Sequence, residues 1–175
     1  RFDGGTVRVV ASMQTDHFTA EERQRFETTA FTRDPRANRM GVRMDHDGTG
    51  FSAEGGLTIL SEVIVPGDIQ ITGDGAPFVL MGECQTTGGY PRIGTVIPRD
   101  LPRVAQAASG TAIQFEFITL EDAITLETQH RRDIKALGGQ ITPLIRDPAK
   151  IRNLLAYQLV GGAISATDNP FEEEH

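Results

Sequence analysis

The stretch from Val65 to Met81 constrains the fold more than any other part of the sequence. It reads Pro66-Gly67, then Asp68–Thr72, then Gly73-Asp74-Gly75, then Ala76–Met81. Proline fixes φ at the first corner, and glycine supplies the positive φ that a type II turn demands at the next position. The Gly-Asp-Gly corner then joins two strand-like runs as a hairpin. The same punctuation recurs along the chain, with 19 glycines and 9 prolines in 175 residues. So many turn formers argue against a simple helix bundle and for many short strands.

Further strands are expected at Thr6–Ser12, Arg39–His46, Arg92–Ile97 and Thr111–Thr119. In Arg39–His46, Met40, Val42 and Met44 alternate with charged residues, and in Thr111–Thr119 Ile113, Phe115 and Phe117 share one face. Leu57–Val65 is mostly apolar, and Arg33–Ala37 with its Asp34-Pro35 pair reads as a loop. Thr19-Ala20-Glu21-Glu22 is a capping box that starts a helix to about Thr28. Pro98–Ala107 reads as a short helix carrying Leu101, Val104 and Ala105 inward. Thr119 caps a helix to Leu137, ended by Gly138-Gly139, and Asp147-Pro148 opens a last one with an apolar stripe at Ile151, Leu154, Leu155 and Leu159. Ser165–His175 is polar, acidic and expected to be disordered. About seven short strands with helices at the edges define a mainly β fold with added helices, an antiparallel barrel or sandwich.

A net charge of −7 excludes a nucleic-acid backbone as partner of the chain as a whole. No run reaches the length of a membrane span and no leader is visible, so no membrane partner is expected. The single cysteine, Cys84, rules out an internal disulfide framework and points to a reducing, cytoplasmic setting. The chain opens on Arg1 rather than Met, which marks it as an expected fragment or processed half of something larger.

The chemistry concentrates in Glu83–Arg92, ECQTTGGYPR. Gly88 and Gly89 allow positive φ and can leave backbone N–H groups uncovered, the geometry that binds an oxyanion or phosphate. Thr86 and Thr87 add hydroxyls, Gln85 an amide, Glu83 a base or a metal-side acceptor, and Arg92 a fixed positive charge. The alternative is a strand–turn–strand corner whose Tyr90-Pro91 packs over the barrel end. Cys84 reads as a structural thiol. His17, His46, His130 and His175 show no ligand spacing, and no metal site is expected. Asp45-His46-Asp47-Gly48 reads as a turn.

QTTGGYPRIGTVIPRDLPRVAQ (Gln85–Gln106), preceded by RMGVR (Arg39–Arg43) and VPGDIQI (Val65–Ile71), resembles the biotin-dependent carboxyltransferase-like family. That family includes allophanate hydrolase subunit 2, the C subunit of bacterial ATP-dependent 5-oxoprolinase, the carboxyltransferase domain of urea carboxylase, and an antagonist of a sporulation histidine-kinase inhibitor. The resemblance covers roughly Val7–Ala123 and implies a cyclophilin-like β-barrel at residues 1–119, the C-terminal half of the family's subunit. Residues 120–164 would be a helical extension and 165–175 a tail.

The resemblance implies a subunit of an ATP-dependent amidohydrolase acting on a small cyclic or urea-like amide. It would work with the missing N-terminal half and with the enzyme's B-type subunit, the kinase-inhibitor-like partner, and this chain alone would be inactive. Arg39 and Arg43 would bind an anionic group, Gln85–Tyr90 would form the pocket wall, and Glu83 would orient or deprotonate the nitrogen. ATP would enter through the assembled complex. The alternatives are carboxyl transfer from carboxybiotin to urea or a related amide, and a non-catalytic regulator of a kinase-inhibitor-like partner. The sequence departs from the family's pattern twice: Glu83 stands where members usually carry Asp, and Ser12-Met13-Gln14 where Gly-Pro-Gln is usual.

Overall fold

The computed structural model describes residues 4–56 and 59–141. The chain divides into two compact units, Arg1–Ala136 and Leu137–His175. The described part of the second is Leu137–Ile141, with a 3-10 turn at Gly138–Gln140. The expected boundary after residue 119 falls inside the first unit. The expected helix from Asp147, its Ile151–Leu159 stripe and the 165–175 tail lie outside the described residues.

The strands are β1 (Gly5–Val10), β2 (Phe31–Arg33), β3 (Gly41–Asp45), β4 (Glu62–Val63), β5 (Asp68–Ile71), β6 (Pro77–Leu80), β7 (Thr87–Gly88), β8 (Arg92–Val96) and β9 (Ala112–Phe117). The helices are α1 (Ala20–Thr28), α2 (Leu101–Gln106) and α3 (Leu120–Leu137). Seven strands close a barrel in the order β1-β8-β5-β6-β3-β2-β9, and β4 and β7 form a separate two-stranded ribbon. The mainly β barrel expected from the turn pattern is thus the observed fold. One seam departs from an all-antiparallel barrel: β9 runs parallel to β1, with Gly5 opposite Ile113 and Val9 opposite Phe117. A parallel pair needs a long crossover between its strands, and nearly the whole first unit provides it.

Closure follows from period-2 burial. Val7 and Val9 of β1, Phe31 of β2, Val42 and Met44 of β3, and Ile113 and Phe115 of β9 are all buried, at 2% exposure or less, and their alternate neighbours face outward. Helix α1 adds Phe26 to this interior: its ring stacks on Phe115 at 4.9 Å and meets Phe31 at 5.3 Å and Phe51 edge-on at 5.6 Å. The N-cap is as the sequence predicts, with Thr19 Oγ1 accepting from the Glu22 N–H at 3.2 Å. The Glu22 carboxylate does not turn back to close the box; it accepts from Arg25 and Ser52 instead. Gly67 has φ +97 and the Asp68 N–H reaches the Val65 carbonyl at 3.1 Å, so the Pro66-Gly67 corner is the expected turn.

Helix α2 is tied to β1 through Asp100, which accepts from Arg8 Nη2 at 2.6 Å, Arg8 Nε at 2.6 Å and the Arg8 N–H at 3.0 Å. Its buried side is set by Val104 and, just past its end, Ala107. Ala105, expected to face inward, is exposed, because the inward stripe of so short a helix falls on positions three apart. Thr119 caps α3, its Oγ1 accepting from the Asp122 N–H at 3.1 Å. Among the described residues no helix is long and apolar enough to cross a membrane.

Strand β5 is buried on both faces, including the polar Asp68 and Gln70. Ile69 and Ile71 point into the barrel. The outer face is covered by the β4–β7 ribbon, and that lid of two short strands positions the candidate site.

Candidate functional site

The chain leaves β6 through Gly82, Glu83 and Cys84, and this turn lies against the loop that enters β3. The Met81 N–H donates to the Met40 carbonyl at 3.0 Å, and the Glu83 N–H to the Arg39 carbonyl at 3.0 Å. Asn38 shapes the facing loop: its Oδ1 accepts from the N–H groups of Met40 and Gly41 at 2.8 and 3.3 Å. The paired loops bring Arg39 Nε to 3.1 Å from Glu83 Oε2, with both side chains mostly in solvent. Two of the predicted site residues therefore meet at the rim of one groove.

After Cys84 the chain crosses the outer wall of the barrel. Thr87 and Gly88 form β7, paired with Val63 and Glu62. The Ile64 N–H donates to the Thr86 carbonyl at 3.1 Å, and the Ile59 N–H to the Gly89 carbonyl at 2.9 Å. Neither Gly88 nor Gly89 has a positive φ. The pair is therefore not a positive-φ turn: Thr87 and Gly88 are extended and engaged in strand pairing. Glycine at position 88 has another cause. A Cβ there would collide with the Gln70 amide and press on Ile64 Cδ1 at 3.1 Å, so the ribbon lies this close to β5 only without a side chain. At Gly89 a Cβ would make ordinary contacts, 3.4 Å to the Ile59 carbonyl.

Arg92 is also not a free cation. Its side chain is 11% exposed, with Nη2 at 2.7 Å from Glu62 Oε2 and Nη1 at 3.2 Å from Asp68 Oδ2. Nη1 also donates to the Val63 carbonyl at 3.0 Å. Gln14, itself buried, accepts from the Arg92 N–H at 2.9 Å and donates to Glu62 at 2.7 Å. Asp68 receives Thr95 Oγ1 at 2.7 Å and the Val65 N–H at 3.0 Å. This network fastens the ribbon to the barrel, and Ser12 and Thr15 add hydroxyl bonds to the carbonyls of Arg92 and Ile93.

Arg43, expected beside Arg39, projects from the opposite side of β3 to Val42 and Met44. It pairs with Asp74 at 2.7 Å and with Asp45 at 3.1 Å. Thr72 and Arg43 together hold the Asp74 carboxyl at about 2. Burial works against the Arg43 charge, but the hydrogen bonds to Asp74 and Asp45 outweigh it and raise the guanidinium above its ordinary value. Arg39 and Arg43 therefore do not converge on one anion.

Two open grooves flank the Glu83–Tyr90 segment. The larger, about 620 Å³, holds Arg39, Glu83, Asn38 and Arg33 over Val42, Met81 and Ala105. The smaller, about 200 Å³, holds Gln85 and Tyr90 with Cys84, Gln70, Thr72 and a set of apolar neighbours. Burial, reinforced by the negative charge of Asp68, pushes the Cys84 thiol upward. Two residues that the sequence pattern did not single out carry unpartnered buried nitrogens: Arg33 Nε and Gln70 Nε2. The available signal was parity. Arg33 lies two positions from Phe31 on a strand, and Gln70 lies inside a run otherwise built for burial.

A closed seven-stranded barrel with helical additions, and a Gly-Gly-Tyr ribbon fastened to its outer wall, defines the class of this protein. Residues 2–117 match the family described as the carboxyltransferase domain, subdomain A and B, and the chain belongs to that family. It is 32% identical over 124 residues to the 5-oxoprolinase C subunit of Haemophilus influenzae, covering 71% of this chain and 40% of that protein. It is 30% identical over 138 residues to the 5-oxoprolinase C subunit of Escherichia coli, covering 79% of this chain and 44% of that protein. The chain thus spans less than half the length of these curated relatives. Its fold is similar to part of the K. lactis urea amidolyase structure, with a TM-score of 0.66 at 20% identity over 83% of this chain and 10% of that one.

Proposed function

We propose that this chain is the barrel of a protein of the 5-oxoprolinase C-subunit type, part of a cytoplasmic ATP-dependent amidohydrolase that opens a small cyclic or urea-like amide. The single observation that carries the reading is identity of 30% and 32% to two proteins of that name, along a stretch containing the whole Glu83–Arg92 segment. The groove supports it. Glu83 offers an exposed carboxylate to a substrate nitrogen, and Arg39 sits 3.1 Å away as the positive group that holds the carboxylate or an incoming anion. Gln85 and Tyr90 border the adjoining recess. The working site is completed by the family's N-terminal half and by a B-type partner.

ATP belongs to the assembled complex in this reading. The Gly88-Gly89 segment is extended and paired, which is not the concave run of free amides that a triphosphate needs, so the nucleotide is not assigned to it. Carboxyl transfer from carboxybiotin ranks second, because the relatives at 30% and 32% identity are 5-oxoprolinase C subunits, whereas the likeness to urea amidolyase is at 20% identity. The test is reconstitution: the full polypeptide with its A- and B-type partners, assayed for ATP-dependent cleavage of 5-oxoproline. Turnover that needs all components is the expected result; none in any combination overturns the reading.

A further inference from the structure

Arg33 closes β2 at one end of the barrel, and its position there is unusual for a cation. It stands opposite the fully buried Met44 and two residues beyond the fully buried Phe31, so strand alternation turns its side chain toward the barrel interior. Its Nε is buried without a hydrogen-bond partner. Among the described residues, no carboxylate, carbonyl or hydroxyl accepts from its guanidinium. The neighbouring acid does not neutralise it: Asp34 accepts from Arg36 Nε at 3.0 and 3.1 Å and is held well below the ordinary carboxylate range by that contact. A half-buried guanidinium without a counter-charge is costly.

Arg33 faces an open groove. Arg33 shares the groove of about 620 Å³ with Arg39 and Asn38, over an apolar floor that includes Val42 and Met81. Arg39 has only a solvent-exposed partner, Glu83, a contact an incoming anion can displace at little cost. The Asn38 carbonyl oxygen is occupied by backbone N–H groups, which leaves its NH2 group as a further donor.

We propose that this groove is an oxyanion subsite in which Arg33 and Arg39 bind a carboxylate or phosphate group, with Arg33 as the half-buried anchor. Arg33 takes the place that the family resemblance gave to Arg43. The choice of 5-oxoprolinate as a probe rests on the amide-cleavage reading; the subsite itself rests on the uncompensated charge and the groove.

The experiment is calorimetric titration of the full chain, wild type, Arg33→Met and Arg33→Lys, with 5-oxoprolinate, inorganic phosphate and the neutral 2-pyrrolidinone. Replacing a charge-assisted contact by methionine is expected to weaken anion binding by about tenfold or more and to leave pyrrolidinone unaffected. Loss confined to 5-oxoprolinate assigns the carboxylate as occupant, and loss confined to phosphate assigns the phosphate. Anion affinities equal in wild type and Arg33→Met, or no anion binding in wild type, overturn the proposal. Arg33→Met should melt at or above the wild-type temperature, because it removes an uncompensated charge. If it melts several degrees lower, Arg33→Lys decides: anion affinity between wild type and Met supports the subsite, and affinity equal to that of Met overturns it. The functional reading fails separately. Arg33-dependent binding without turnover in the reconstituted complex removes the reaction and keeps the subsite, whereas turnover at unchanged KM in Arg33→Met does the reverse.

Discussion

Arg92 and Glu62 meet at 2.7 Å, Nη2 to Oε2, across the gap between the barrel wall and the ribbon that carries the Gly-Gly-Tyr segment. The same guanidinium reaches the buried Asp68. The arginine at the end of this segment therefore holds the segment in place. Arg92→Met is expected to lower stability by about 3 kcal/mol, because it leaves the Asp68 carboxylate buried without its counter-charge. Arg92→Lys should recover only part of that, since one ammonium cannot span Glu62, Asp68 and the Val63 carbonyl together. Urea denaturation measures both. Wild-type stability in Arg92→Met, with anion binding lost, would return Arg92 to the role of a ligand.

The two glycines separate on the same logic. At Gly88 a methyl group meets Gln70 and Ile64, so Gly88→Ala should cost about 1–3 kcal/mol through overpacking. At Gly89 the space is ordinary, and Gly89→Ala should stay within about 0.5 kcal/mol. Thermal melts of the two single variants test this. Equal losses would mean that backbone freedom, rather than the approach of the ribbon to β5, explains the pair.

Local rules read most of the barrel from sequence. Pro66-Gly67, the Thr19 cap and the alternation in β3 and β9 each act within a few residues, and each is found where expected. What failed depended on contacts distant in sequence. Nothing near Gly88 announces that Gln70 lies beneath it, and nothing near Arg92 announces Glu62 and Asp68. The resemblance implies that Arg43 shares an anion with Arg39, but alternation along β3 turns Arg43 away from Val42 and Met44 and leads it to Asp74, a partner distant in sequence. The parallel seam between β1 and β9 joins the two ends of the barrel sequence, so no local signal could have fixed its direction.

Acid should loosen the barrel at a defined place. The Asp100 carboxyl is depressed: burial opposes ionisation there, but the hydrogen bonds from Arg8 prevail. A carboxyl with a lower pKa in the folded state makes the unfolded state bind more protons across the interval between the two values, so stability rises with pH there. The contribution is complete above the ordinary carboxylate range and is lost as pH falls through the folded-state value. Unfolding followed by circular dichroism between about pH 5 and pH 2 should show falling stability in wild type and a flatter dependence in Asp100→Asn, which is less stable at neutral pH. An unchanged slope in Asp100→Asn would assign the acid sensitivity to other carboxyls, Asp74 among them.

The exposed pair Arg39–Glu83 distinguishes a catalytic subunit from a regulator. Both side chains are mostly solvated, and such pairs contribute little to folding, so Arg39→Ala and Glu83→Gln should each change stability by no more than about 0.5 kcal/mol. A carboxylate that handles a proton in the reaction contributes far more to rate, and Glu83→Gln should cut turnover of the reconstituted complex by about a hundredfold or more. Arg39→Ala should act chiefly on KM if its role is the proposed one of holding the anionic group rather than moving a proton. Neither change should prevent assembly with the partner subunits, which gel filtration can confirm beside the assay. If assembly persists and turnover is also untouched by both substitutions, the groove at the Arg39–Glu83 rim is not where the amide is opened, and the barrel serves its complex by binding alone.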